Sequence, residues 1–341
     1  MRIGLVGYGS GGKHFHAPFI VAAKGLTLAG IVARAPDTIA RAKADFPQVP
    51  VYPSLTAMLA GGVDIVTITT PPQTRRDLVL EAIAAGVAVV ADKPFAPDAA
   101  TGRELAAAAK ARGVLLSVYH NRRYDADILT LRDVLAAQRV GKLWQFHNRM
   151  DLNDPHTLEA GETGGLLRDI GSHLVDQTVW LLGPVAAVFA QTDVVERAEG
   201  VTDASFVITL IHTSGVHSHL SSSKINYLTA REMRVYGEAG SYVSNGTDVQ
   251  AQAIFAGMKP ADDLTQWGYE QPAFWGTLRT AHGEERIPSA QGCYHAYYEA
   301  IAKAVETGTE PPVTAAQAIR TLEVLDAALL SAKEGRLVTL G

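Results

Sequence analysis

Cysteine is nearly missing from this chain. Cys293 is the only one in 341 residues, which excludes an internal disulfide and with it the stapled framework of a small secreted scaffold. Charged residues make up only 19%, and a formal net charge of −5 leaves no basic field to draw in nucleic acid. No apolar run reaches the roughly 18 residues that suggest a membrane span, since VAVVADKPFA and VDIVTITTPP are both interrupted early. The sequence enters MRIGLVGYG without the charged, apolar and cleavage-site segments of a secretory signal, so a cytoplasmic location is expected. Low-complexity tracts and solenoid-length repeats are also missing. What is plentiful is apolar: 47% of a chain this long fills more than one core, and two domains are expected. The partners that remain are small molecules and further copies of the chain, with no role for nucleic acid or membrane.

Through the first 120 residues, short β-branched runs alternate with Ala-rich segments. RIGLVGYG, LTLAGIVAR, VDIVTITT, VAVVAD and VLLSVYH are apolar enough to be strands buried on both faces. Between them DTIARAKADF, SLTAMLAG, RRDLVLEAIAAG and DAATGRELAAAAKARG have helical spacing, with Ser54 or Asp98 at their starts and Gly86 or Gly113 past their ends. This βαβ alternation predicts a doubly wound parallel sheet over residues 1–122. From residue 123 the pattern changes. A helical stretch, DADILTLRDVLAAQ, leads to KLWQFHNRMDL and then to a run of strand-forming segments with short turns, VAAVFAQTDVV, ASFVITLIHTSGVHSHLSSSKI and REMRVYGEAGSYVSNG. Residues 123–341 are therefore expected to form a second domain with an antiparallel or mixed sheet, closed by two helical segments on either side of Pro311 and Pro312.

Three constellations carry chemistry. In GLVGYGSGG, Gly7, Gly9 and Gly12 satisfy G-x-G-x-x-G directly after the first strand, with Ser10 and Gly11 completing the loop. The first two glycines allow a tight turn and close approach of backbone to a pyrophosphate, and the third lets the next helix pack closely. At the end of the second strand an NAD-selective site would usually place an acid for the ribose hydroxyls, but Arg34 stands there. A guanidinium at that point can pair with the 2′-phosphate of NADP, so NADP is the expected cofactor and NAD the alternative; an exposed arginine stacking on adenine is the other use of the position. In VAVVADKPFAPD, Lys93 and Pro94 fall at the C-terminal end of a buried strand, the edge of an open α/β sheet where ligands bind, although a turn lysine on the surface is an equal reading. In GGLLRDIGSHLVDQ, Asp169, His173 and Asp176 recur at intervals of four and three, which in a helix puts them on one face among Leu166, Ile170 and Leu174. Hydride transfer from an alcohol needs a group to take the hydroxyl proton, and histidine is the side chain whose ordinary pKa lies nearest neutrality. A plain amphipathic helix with a solvated polar side is the competing reading.

GYGSGGKHFHAPF, ADKPFAPD, SVYHNRRYD and GGLLRDIGSHLVDQ, in this order and separation, resemble the glucose-fructose oxidoreductase, inositol dehydrogenase and rhizopine catabolism family (Gfo/Idh/MocA), and within it the NADP-preferring scyllo-inositol dehydrogenase branch. The resemblance runs over nearly the whole chain. It implies an N-terminal Rossmann domain, a C-terminal α/β domain whose large open, mostly antiparallel sheet is buried in a homodimer or homotetramer, and a sugar or cyclitol substrate oxidised at a secondary hydroxyl. The family's catalytic lysine of E-K-P falls on Lys93, with Asp92 in place of the glutamate, and its Asp and His fall on Asp169 and His173. His173 would then remove the hydroxyl proton while Lys93 and Asp169 hold the hydroxyl. Thr70 and Pro71 match positions at the cofactor, as does Asn121 in NRR. Arg122 and His156 become candidate substrate contacts beside Lys93, Asp169 and His173, with an interdomain hydrogen-bond role open for Asn121 and Arg122.

Two stretches depart from the family. Where many members have T-P-N-x-x-H, this chain has Thr70, Pro71, Pro72 and Arg75, and the segment Asn153–Glu159 is short where the inositol branch carries basic and aromatic residues. The resemblance also admits two other classes, a glycosidase that uses bound NAD transiently and a non-catalytic dinucleotide-binding sensor; a sensor has no need of the Lys93, Asp169 and His173 set. The pairs His14/His16 and His217/His219 lack a carboxylate or cysteine cluster, and no metal is expected.

Overall fold

The structure is a computed structural model that describes residues 1–161 and 164–341. In chain order its strands are β1 (Arg2–Val6), β2 (Thr27–Val32), β3 (Val51–Tyr52), β4 (Ile65–Ile68), β5 (Ala88–Asp92), β6 (Leu116–Tyr119), β7 (Leu143–Asp151), β8 (Val185–Arg197), β9 (Gly200–His212), β10 (His217–Ser223), β11 (Ala230–Gly237), β12 (Gly240–Ser244), β13 (Gly276–Thr280), β14 (Gly283–Ile287) and β15 (Val338–Thr339). The α-helices are α1 (Ala17–Ala22), α2 (Pro36–Asp45), α3 (Leu55–Ala60), α4 (Pro72–Ala84), α5 (Ala99–Arg112), α6 (Ala126–Ala136), α7 (Leu166–Leu182), α8 (Val249–Phe255), α9 (Tyr294–Thr307) and α10 (Ala315–Glu334). They form two compact units. The first comprises residues 1–121, 250–267 and 293–319, and the second residues 122–249, 268–292 and 320–341. Where the sequence suggests one crossing near residue 122, the chain thus returns twice to the first unit.

The first unit is a parallel six-stranded sheet in the order β3-β2-β1-β4-β5-β6, the doubly wound arrangement. Ile3, Leu5, Val66, Val89, Val90 and Val118 are fully buried, as helix cover on both faces requires of such runs. Ser54 accepts the Ala57 N–H at 3.1 Å and Asp98 the Thr101 N–H at 2.7 Å, so both expected caps start their helices, α3 and α5. Gly113 closes α5 in the left-handed region at φ 68°. The returning segments complete an aromatic core: Phe19 meets Trp267 and Tyr294 at ring distances of 5.8 and 5.1 Å, and Tyr119 meets Tyr297 at 4.9 Å. The Ser117 and Tyr297 hydroxyls are 2.7 Å apart beneath them. The two-residue edge strand β3 is too short to leave a periodic signal in the sequence.

The second unit is a nine-stranded mixed sheet, β14-β13-β12-β11-β7-β10-β9-β8-β15, antiparallel at every step except the parallel pair β7 and β10. Strand alternation sends Phe146, Asn148 and Met150 of β7 to the helix-covered face and leaves Gln145, His147 and Arg149 on the other. On the covered face Ile128 and Leu131 of α6 join Phe146, Val235, Tyr242 and Leu278 in one apolar cluster, and α7 lies along β9, β10 and β7. The opposite face is open, with Val207 on β9 54% exposed.

Candidate active site

In the first unit the strand order reverses between β1 and β4, and the glycine loop leaves the C-terminal end of β1 there. Gly7 has φ +101°, and a Cβ on it would stand 2.6 Å from Thr69 Oγ1; one on Gly12 would stand 2.3 Å from the Gly7 carbonyl oxygen. Both glycines are therefore required by close packing of the turn. A Cβ on Gly9 would meet nothing within 4 Å, so backbone there is open to close approach by a ligand. The Thr69 hydroxyl lashes β4 to this turn by donating to the carbonyls of Val6 and Gly7 at 3.2 and 3.1 Å. Thr70 Oγ1 is buried with no hydrogen-bond partner among the described residues, a polar atom left for a bound group to satisfy. These features fit a dinucleotide. The helix expected after the glycines begins instead as a wide π-helical turn, Gly11–His16, before α1 takes over. Ser10 and Gly11 stand at its start, and Arg34 lies exposed two residues beyond Val32, whose carbonyl accepts the Gly7 N–H at 3.0 Å.

Lys93 follows β5 with a cis bond to Pro94, and the loop that carries it is held from two sides. The Lys93 N–H donates to Asp92 Oδ1 at 2.8 Å. Asp92 Oδ2 lies 3.3 Å from Nε2 of the buried His16, whose Nδ1 is 2.6 Å from the Tyr298 hydroxyl. Burial pushes the Asp92 carboxyl up, but His16, Arg75 and Lys93 outweigh it and hold the group down at about 2. From the other side Arg75, only 2% exposed, donates to the Thr70 carbonyl through Nε at 3.1 Å and Nη2 at 2.5 Å, and through Nη1 to the carbonyls of Asp92 and Pro94. Burial lowers its guanidinium to about 10 against the raising effect of Asp92, still charged at neutral pH. Arg75, which the sequence shows only as a departure from a family histidine, thereby ties the loop after β4 to the loop after β5.

In the second unit the row Asp169, His173 and Asp176 lies on α7 as its spacing predicts, but the three residues have different fates. His173 is 6% and Asp176 2% exposed, so two of the three are withdrawn from solvent, while the Asp169 side chain is 43% exposed. Asp176 forms a bidentate pair with buried Arg123, Nε to Oδ2 at 2.8 Å and Nη2 to Oδ1 at 2.7 Å, and also accepts from the Thr321 hydroxyl at 3.4 Å. Asp169 pairs with Lys224, whose Nζ is 3.1 Å from Asp169 Oδ2. The start of α7 is fixed by Asp203 of β9, which accepts the Leu167 N–H at 2.6 Å; a Cβ on Gly165, at φ +101°, would collide with that carboxylate. Burial raises the Asp203 carboxyl against the lowering effect of those N–H bonds.

The remaining candidates divide. Arg122 is bound to Asp248 at 2.6 Å and to Asp125 at 3.4 Å, and its carbonyl accepts from Gln177 of α7 at 3.0 Å, so it braces the α7 neighbourhood. His156 is exposed in a short 3₁₀ turn next to Thr157, whose carbonyl accepts from Lys224 at 3.3 Å. Asn121 is buried and opens the 3₁₀ turn after β6, and Pro71 stands just ahead of α4. Sequence reading missed Lys224, Arg75 and Arg123; only Arg75 had a local signal, its mismatch with the family pattern. Among the described residues no group of three or more His, Cys, Asp or Glu is placed to hold a metal, and no helix is long and apolar enough to cross a membrane.

A doubly wound parallel sheet with a glycine turn at its switch point, joined to an α/β unit with a half-exposed Asp169 and a buried His173 one turn apart on a helix, defines a dinucleotide-binding oxidoreductase. Residues 1–120 match the Gfo/Idh/MocA oxidoreductase family, NAD-binding Rossmann fold, and residues 132–340 match the same family's C-terminal alpha/beta domain. The chain belongs to the Gfo/Idh/MocA oxidoreductase family. It is 32% identical to the scyllo-inositol 2-dehydrogenase (NADP(+)) IolW of Bacillus subtilis (strain 168), over 100% of this chain and 96% of that protein. It is 34% identical to the uncharacterized oxidoreductase YdgJ of Escherichia coli (strain K12), over 98% and 96% of the two chains. Among solved structures it superposes on the oxidoreductase yvaA from Bacillus subtilis with a TM-score of 0.91 at 32% identity, covering 100% of this chain and 98% of that one.

Proposed function

We propose that this oxidoreductase is an NADP-preferring dehydrogenase that moves a hydride between nicotinamide and a secondary hydroxyl or ketone of a sugar or cyclitol. The observation that carries the reading is the pair Asp169 and His173, one turn apart on α7, with His173 withdrawn from water and Asp169 held by an ammonium. A solvated helix face would need neither. In this reading a bound nicotinamide supplies the hydride acceptor, and Gly7, Gly9, Ser10, Gly11, Gly12, Thr70, Pro71 and Asn121 hold the dinucleotide. Arg34 meets the 2′-phosphate, which its exposure beyond β2 allows. Lys93 and Asp169 hold the reacting hydroxyl by hydrogen bonds, and His173 takes its proton as the carbon gives up hydride.

The name of the Bacillus relative supports a cyclitol and NADP, and the short segment Asn153–Glu159 supports a substrate other than scyllo-inositol. Cytoplasmic location and a homodimer or homotetramer built on the open sheet face belong to the same reading. The exposed Val201 and Val207 on β9 of that sheet support the assembly. The test is absorbance at 340 nm while the purified protein meets inositols, aldoses and deoxysugars with NADP or NAD. Stoichiometric NADPH formation with one polyol is the expected result, and silence across the panel despite tight NADPH binding would defeat the reading.

A further inference from the structure

Lys224 is a lysine in the interior. Ser218, Leu220 and Ser222 of β10 face α7, and the alternation carries on for one more residue because the Lys224 N–H is still held by the Ala204 carbonyl at 3.0 Å. Lys224 is therefore driven to the covered face, where it is 3% exposed. Burying an ammonium is costly unless it is paired and hydrogen-bonded, and this one is both, to Asp169 Oδ2 at 3.1 Å and the Thr157 carbonyl at 3.3 Å. The pair is lopsided: the Lys224 side chain is 4% exposed and that of Asp169 43%. The cation thus lies behind the carboxylate, and the carboxylate keeps an outward side.

Arg168 reaches toward Asp326 at 3.9 Å, Asp203 of β9 holds the Leu167 N–H, and Asp151 of β7 accepts the Ser223 N–H at 2.9 Å and pairs with Arg149. His173 follows one turn after Asp169, and Asp176 is bound to Arg123. We infer that Lys224 is a positioning residue for Asp169: by holding Oδ2 from behind it fixes the direction of the carboxylate, so that Asp169 presents a hydrogen-bond acceptor to the substrate hydroxyl. The inference rests on the reading of Asp169 as a substrate-holding group.

The test uses the full chain and the variants Lys224→Met, Lys224→Arg and, as one that keeps a donor for the Thr157 carbonyl, Lys224→Gln. The titration of Asp169 is followed by carbon-13 NMR of aspartate carboxyls, its signal assigned with Asp169→Asn. Loss of the neighbouring cation is expected to raise the Asp169 midpoint by about one to two pH units in the Met or Gln variant, with Arg restoring it. KM for the polyol should rise in the Met and Gln variants and recover with Arg, while NADPH affinity stays unchanged. An Asp169 midpoint that stays put in a folded Met or Gln variant overturns the inference, as does a polyol KM that stays put while the midpoint moves. Should the unaltered protein oxidise no polyol at all, the proposed function fails, and the NMR titration still decides the role of Lys224.

Discussion

His16 and Asp92 meet at 3.3 Å beside the glycine loop, joining the first turn after β1 to the residue that precedes Lys93. A Cβ on Gly11 would stand only 3.5 Å from the same carboxylate oxygen. His16 thus connects the cofactor loop to the lysine loop without itself being exposed.

The first prediction concerns acid. Asp92 is held at about 2 instead of 3.8, and a depressed carboxyl stabilises the fold above its ordinary value and loses that contribution as pH falls through the folded one. His16→Phe is expected to cost about 1 kcal/mol or more at about pH 6, with the gap to the unaltered protein narrowing between about pH 4 and pH 2 to what the lost Tyr298 bond contributes. Urea unfolding of both proteins across this range measures it, and a gap independent of pH would show that the pairing is not its source.

Arg75 satisfies three carbonyls with one guanidinium. Arg75→Ala would leave those of Thr70, Asp92 and Pro94 buried without it, and is expected to destabilise the protein by about 3 kcal/mol or more. Arg75→Lys should recover little, because a single ammonium lacks the planar fork that spans both loops. Thermal unfolding of the two variants is the measurement; full recovery by lysine would mean that charge alone matters.

Arg34→Ala should weaken NADPH at least tenfold more than NADH, as loss of a charge-assisted contact to one phosphate implies. Fluorescence titration with both reduced dinucleotides reads this directly. Equal weakening would remove the 2′-phosphate from the assignment.

His173→Ala is expected to lower kcat by about a hundredfold to ten-thousandfold, the range for a lost general base, while the Kd for NADPH stays within about twofold. Single-turnover rates and dinucleotide titrations separate the two. Loss of dinucleotide binding would place His173 in the wrong role.

What could be read from the sequence was what is local. The caps at Ser54 and Asp98, the glycine turn and the three-and-four spacing on α7 each depend on residues within a few positions of one another. What could not be read is long-range pairing. Asp176 looks like a third member of the Asp169 row until Arg123, 53 residues away, claims it. Lys224 meets Asp169 from 55 residues away at the end of an SSSK run that contains no charge pattern of its own. The parallel pairing of β7 with β10 was equally hidden, since strand alternation fixes which face a residue joins and not which strand lies beside it.

The two returns of the chain to the first unit bear on the order of events during synthesis. Trp267 and Tyr294 close over Phe19, Tyr297 and Tyr298 over Tyr119, and Thr314 bridges to Ser117, so the wall of the cofactor unit is made of late residues. A ribosome that has delivered the first 121 residues has delivered all six strands of that sheet and not its aromatic cover. The first-made half keeps part of its apolar surface uncovered until the later residues emerge, the kind of surface that makes a growing chain prone to association.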